Sequence, residues 1–318
     1  MIFEKRTERI FLAIFFVIAL CIPLFLETNS FFVGKIATVL ILSVFVMSLD
    51  FLVGRVGLVT LGHALFYGLG GYLFVMLTPK YEAVNFWIYA IYVMGVSALV
   101  ALVVGVVVLR TSGIYFIMIT LAISQMGYYF FSDSLKFGGN DGLYIFMQPE
   151  TSIFGLSFLD LDNSTHFYYL SLLAVLITLV ALKIVLHSRF GRIVEASHLN
   201  PERTEALGYN IFAFRLISYV IGSTLAAYAG LLFALQYGYV NPQFMTWEVS
   251  GTALVMAILG GMGTIYGAIL GTITYEGLLY IFEHMSKDWK LFLGGAIILM
   301  VLLLRKGLAG YLEKLLEK

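Results

Sequence analysis

The chain has 318 residues, 61% of them hydrophobic and only 12% charged, about half the charged share of a soluble domain. So few charges cannot cover a water-facing surface; lipid is the main solvent and an ordinary soluble protein is excluded. The 19 basic residues balance 19 acidic ones, so net charge implies no nucleic acid or other polyanionic partner, and the single Cys21 permits neither a disulfide frame nor a paired-cysteine metal site.

Lys5, Arg6 and Arg9 precede an apolar run from Ile10 to Leu26. That run is longer than a secretory signal core, and Glu27-Thr28-Asn29-Ser30 has no small-x-small cleavage pattern, so a retained span is expected. Further apolar stretches follow near 33–52, 56–78, 86–109 and 113–131, then 167–187, 211–236, 249–265, 266–283 and 291–305. With the first, near 10–27, they predict about ten helices. Every backbone group in lipid needs an internal partner, so the expected fold class is all-α, a polytopic transmembrane bundle and a single domain over 1–318.

Ten alternating spans place both termini on one side. Lys35, Lys80, Lys136, Lys287 and Lys290 fall on the other side, and the remaining fourteen Lys and Arg residues share the side of the termini. That asymmetry predicts cytoplasmic termini, and Trp87, Trp247 and Trp289 are then expected at the outer edges of spans. The outer loop 132–166 carries Asp133, Asp141, Glu150, Asp160 and Asp162 against Lys136 alone. It reads either as a solvated acidic loop or as a surface for an extracytoplasmic partner.

The inner loop 188–210 is more definite. Asn200 suits an N-cap, Pro201 the first helical position, Glu202 the positive end of the helix dipole, and Gly208 a left-handed C-terminal stop. These signals predict a helix of about two turns, roughly 10 Å long, outside the membrane. It reads as a tidy surface helix or as a rigid peg that inserts into a cytosolic partner.

Within the spans, Gly263, Gly267 and Gly271 have i, i+4 spacing, which predicts a smooth helical stripe for close packing. The glycines of 57–72 are too dense for a straight span and point to a broken helix beside a substrate path, with Thr60 and His63 inside it. Asp50 and Arg55 near the inner edge are expected to pair. Glu276 lies midway along its span and reads as a hydrogen-bonded helix contact or a gating group. His63 has no His or Cys nearby, so no metal site is expected, and no His/Asp/Glu cluster suggests an enzyme.

Four stretches carry a resemblance. Ser188 to Asn210 is similar to the cytoplasmic loop of the LivM-type permease subunits of branched-chain amino-acid ABC transporters. Gly57 to Tyr72 resembles that family's Gly-rich third segment. Gly113-Ile114-Tyr115-Phe116, Thr120-Leu121-Ala122 and Gly138-Gly139-Asn140-Asp141-Gly142-Leu143 resemble its central block, and Leu259 to Ala268 its late glycine block. Together these run from about residue 48 to 283. Glu195-Ala196-Ser197 approximates the start of the general ABC-permease EAA signature.

The resemblance implies a multi-pass bacterial inner-membrane protein that imports leucine, isoleucine or valine. Its implied partners are a second permease, two ATP-binding subunits and a periplasmic solute-binding protein; urea or short amides are alternative cargoes. Loop 132–166 would be periplasmic and 188–210 the coupling loop, with Arg192, Glu195, Asn200, Pro201, Glu202, Arg203, Glu205 and Gly208 as coupling candidates. Thr60, His63, Tyr115, Thr120 and Glu276 are candidates for the path or the subunit interface. No G-x-x-x-x-G-K-[ST] stretch occurs, so no cofactor is expected on this chain, and ATP and Mg would be used by the partner subunits. A stand-alone secondary transporter is the competing class.

Overall fold

The computed structural model describes residues 6–26, 30–79, 82, 84–153, 156–157, 159–304 and 306–316. Lys5, Lys80, Arg305 and Lys318, which entered the orientation reading, lie outside them, as do Glu27, Thr28 and Asn29 of the cleavage-site reading.

The helices are α1 Arg6–Leu26, α2 Ser30–Asp50, α3 His63–Leu77, α4 Phe86–Val108, α5 Ile114–Ser132, α6 Ser164–His187, α7 Arg189–Leu199, α8 Pro201–Ala206, α9 Ile211–Tyr237, α10 Trp247–Gly260, α11 Ile265–Met285, α12 Trp289–Leu303 and α13 Gly307–Leu316. Among the described residues, six helical stretches are long and apolar enough to cross a bilayer: Ser30–Val56, α4, α5, α6, α9 and α11. The chain is a multi-pass helical membrane bundle.

α2 is apolar all round and occupies the centre, packed against α6, α9, α10 and α11. It runs directly into a π-helical turn, Phe51–Val56, closed by Gly57 in the left-handed region at φ 79°. Leu52 O accepts from both Gly57 N and Leu58 N there, which widens the last turn. α9 carries Gly222, Ala226, Ala227, Ala229, Gly230 and Ala234 on its buried side. These small residues let α3 approach backbone to backbone: a Cβ on Gly230 would lie 1.6 Å from Tyr67 O, and one on Gly70 1.9 Å from Ala227 O. The dense glycines of α3 are therefore a packing device, and the break lies upstream of them.

Two helices are shorter than a span. α3 has 15 residues and α10 has 14, roughly 22 and 21 Å long at 1.5 Å per residue against a core of about 30 Å. Residues 57–62 complete α3 on its N-terminal side. Residues 238–246, with a short strand β4 (Tyr239–Val240) and a 3₁₀ turn Pro242–Met245, precede α10. This second segment descends along α3. Val240 reaches Gly71, Met245 reaches Gly68, and Ala64 N donates to Ser250 Oγ at 2.8 Å. Trp247, expected at an outer edge, opens α10 three residues before the Ser250 contact with the start of α3, and is 43% exposed. Non-helical backbone at this depth is tolerated because protein groups satisfy it. Thr60 Oγ1 accepts from Gly62 N at 3.0 Å, and Ser124 Oγ of α5 donates to Met245 O at 2.5 Å.

The predicted glycine stripe is corrected at its first member. Gly263 has φ 79° in the turn joining α10 to α11, so it is not helical, because Gly261 at φ 110° has already ended α10. Gly260 takes its place: a Cβ there would lie 1.9 Å from Gly267 O, and one on Gly271 1.9 Å from Met256 O.

The all-α expectation holds for the bundle, with two small ribbons added. β1 (Leu143–Tyr144) pairs antiparallel with β4, and β2 (Ser152–Ile153) with β3 (Leu156–Ser157). The loop 132–166 is thereby laced to the bundle. Ile145 N donates to Gly238 O, and Phe86 N to Glu150 O, each at 2.8 Å.

Candidate functional site

The loop after α6 turns sharply. Gly191 is packed so closely on the last turn of α6 that a Cβ would lie 2.3 Å from Leu186 O, and Ser188 Oγ caps α7 by accepting from Gly191 N. α8 then forms between the stops read from the sequence. Asn200 Oδ1 accepts from Arg203 N at 3.0 Å, with Pro201 at the first position. At the other end Gly208, at φ 88°, donates to Glu205 O, and Tyr209 N donates to Thr204 O. This paired closure is a Schellman motif. Only Thr204 of α8 is buried; Glu202, Arg203 and Glu205 are exposed. Leu199 and Leu207 flank the helix at 80% and 72% exposure. The tip is thus a rigid knuckle with charged sides and two uncovered leucines.

This knuckle is tied to the membrane core through α7. Arg55 Nη1 donates to Glu195 Oε1 at 3.1 Å, joining the π-helical turn to the loop. His198 lies against Gly57, where a Cβ would come within 2.0 Å of Nδ1. Asp50 does not pair with Arg55 as the sequence suggested. Its Oδ1 accepts from Gly263 N at 2.7 Å, while Gly54 leaves room for Gly263 against α2. Three parts therefore meet on one turn of α2: the loop, the α10–α11 turn and the unwound start of α3. A cavity of about 440 Å³ beside them is lined by Glu8, Arg55, Lys183, Arg192, Glu195 and Tyr266, among others. Arg192 and Glu195 are legible in the sequence as loop residues, whereas the partner of Glu195, Arg55, lies 140 residues away in the chain.

The five path candidates do not form one cluster. Thr60, His63 and Thr120 gather around the break before α3, all buried, with Gly62 pressed on Thr120 O. His63 Nε2 lies 2.8 Å from Ser48 Oγ and its ring stacks on Phe45. The same hydroxyl lies 2.7 Å from Phe45 O, and the other ring nitrogen of His63, Nδ1, is buried. No hydrogen bond to that Nδ1 occurs among the described residues. Tyr115 is 72% exposed on α5. Glu276 is half-buried on α11, acted on by the charge of Lys35 from α2. Lys35 Nζ itself sits 4.6 Å from the Tyr280 ring centroid.

A helical bundle with a capped external knuckle and two part-length helices has clear relatives. The family model described as branched-chain amino acid transport system / permease component matches residues 31–302. The chain belongs to this family. The high-affinity branched-chain amino acid transport system permease proteins LivM of Salmonella typhimurium and of Escherichia coli K12 are each 26% identical to it, over 95% of this chain and 75% of theirs. The permease protein BraD of Pseudomonas aeruginosa is 31% identical over 51% of this chain and 53% of its own. No solved structure matches the chain. The family match, residues 31–302, runs across the α7–α8 loop and both part-length helices.

Proposed function

We propose that this chain is one membrane-spanning permease subunit of an ATP-driven importer of branched-chain amino acids in a bacterial inner membrane. The observation that carries the reading is α8: a six-residue helix, stopped at both ends, outside the bundle, with exposed leucines on either side. A connector needs no such rigidity, whereas a lever driven by another protein does. Separate ATP-binding subunits, using ATP and Mg, would grip Glu202, Arg203, Glu205, Leu199 and Leu207. The pair Arg55–Glu195 would pass the movement to α2 and to the unwound segment before α3. About ten spans, counting α1, the two completed half-helices and α12, would place both termini in the cytoplasm. A second permease would close the path, and a periplasmic solute-binding protein would deliver leucine, isoleucine or valine to the side of the 132–166 loop.

Two expected outcomes test this. In proteoliposomes holding the full transporter, Glu202→Ala with Arg203→Ala should leave insertion and assembly intact while leucine import falls by about tenfold or more relative to ATP hydrolysed, the loss of two charged contacts. Import at the wild-type level would remove α8 from the coupling. Exchanging the binding protein for one of different specificity should change the cargo more than substituting Thr60 or His63 does, because those side chains are enclosed within this subunit. Substrate flux by the purified chain alone under an ion gradient would favour a secondary transporter instead.

A further inference from the structure

The descent of residues 238–246 brings an acidic side chain to a depth where the sequence gives no hint of one. Glu248 is the second residue of α10, two positions before Ser250, whose hydroxyl accepts from Ala64 N at the start of α3. Twelve residues separate Glu248 from Gly260, about 18 Å along the helix axis. The far end of α10 is fixed at the inner end of α2, where Gly263 lies against Gly54 and Asp50. Just above Glu248, Met245 is bound by Ser124, which is eight residues, or about 12 Å, from the outer end of α5. Both measures place Glu248 near the middle of the membrane.

At that depth Glu248 is exposed on the flank of the bundle, with Trp247 beside it at 43% exposure. One turn on, on the same helix face, Gly251 leaves open space: nothing lies within 4 Å of where its Cβ would be. Among the described residues no hydrogen bond or ion pair engages the Glu248 carboxylate. An acidic residue in a first turn gains from the helix dipole, but that gain is smaller than the cost of holding a carboxylate against lipid at mid-depth. The flank that carries it must therefore meet water or protein.

We propose that Glu248 lines the translocation path and receives the ammonium group of the amino-acid cargo as it passes mid-membrane, the open helix face at Gly251 leaving room for the rest of the molecule. This rests on the transport function proposed above. A single carboxylate without a fixed counter-charge suits a cargo that is handed on rather than held, since attraction to one end of a zwitterion is enough to guide it.

The test uses the complete transporter in proteoliposomes. Wild-type import is measured first, and its absence would count against the transport function itself, apart from this site. With wild-type import established, Glu248→Gln is expected to slow leucine import at least about tenfold, as for loss of a charged hydrogen bond. Stimulation of ATP hydrolysis by the loaded binding protein should persist, and Glu248→Asp should restore import. In a Cys21→Ser background, Glu248→Cys is expected to react with a charged, membrane-impermeant methanethiosulfonate, which requires water at the site. Absence of that reaction overturns the proposal, as does a Gln variant importing within tenfold of wild type. Loss of the second permease from the purified Gln variant would assign Glu248 to the subunit contact and overturn it as well.

Discussion

Lys183→Met is expected to destabilise the bundle by about 3–5 kcal/mol, the usual cost of leaving one member of a buried ion pair without its partner. Lys183 on α6 pairs with Glu8 on α1, and the two side chains are only 6% and 12% exposed. Glu8 is the only acidic residue in the first turn of α1, and its partner lies 175 residues away. Removing the ammonium leaves the Glu8 carboxylate, only 12% exposed on the wall of the cavity beside Arg55 and Arg192, without its ion-pair partner. Glu8→Gln combined with Lys183→Met should recover most of the loss, because no charge is then left behind. Thermal unfolding in detergent, read by retained monodisperse protein, distinguishes the cases. Equal stability of Lys183→Met and wild type would mean that the pair contributes nothing.

A larger effect is expected where two backbones touch. In Gly230→Val the new Cβ would have to occupy space 1.6 Å from Tyr67 O, with Tyr67 C at 2.6 Å. Backbone cannot rotate away as a side chain can, so α3 and α9 must separate. Overpacking ordinarily costs about 1–3 kcal/mol, and this case should exceed that range because separation also uncovers the packing of Gly70 on Ala227. The predicted result is failure to recover folded protein. Gly251→Ala is the control, with open space around its Cβ, and should change stability by no more than about 0.5 kcal/mol. A stable, monodisperse Gly230→Val protein would refute the close crossing.

The α8 knuckle was readable residue by residue. Asn200, Pro201 and Gly208 act through their own backbone neighbours, so their meaning survives without tertiary structure. The glycines were readable only in type. Gly267 and Gly271 do pack helices, but Gly263 has the same spacing and instead makes the turn that Asp50 holds. Spacing reports a helical face only if the helix continues, and Gly261 ends it. Asp50 and Arg55 likewise looked like a pair because they are five residues apart, yet each found a partner from a distant segment. Residues 238–248 fall between the spans expected near 211–236 and 249–265. Tyr239, Asn241, Pro242 and Gln243 have the composition of an external loop, and their depth follows from contacts with Gly71, Gly68 and Ser124.

By itself the sequence determined that the protein lives in lipid, forms helices, and carries a capped knuckle outside them. Those properties depend on composition and on interactions within a few residues, which the chain specifies wherever it folds. Only the tertiary structure decided which polar groups are enclosed, which helices fall short of a full span, and that Glu248 stands exposed in the first turn of such a helix. Depth and exposure are set by neighbours far apart in the chain, and a polar residue has no depth until those neighbours are in place.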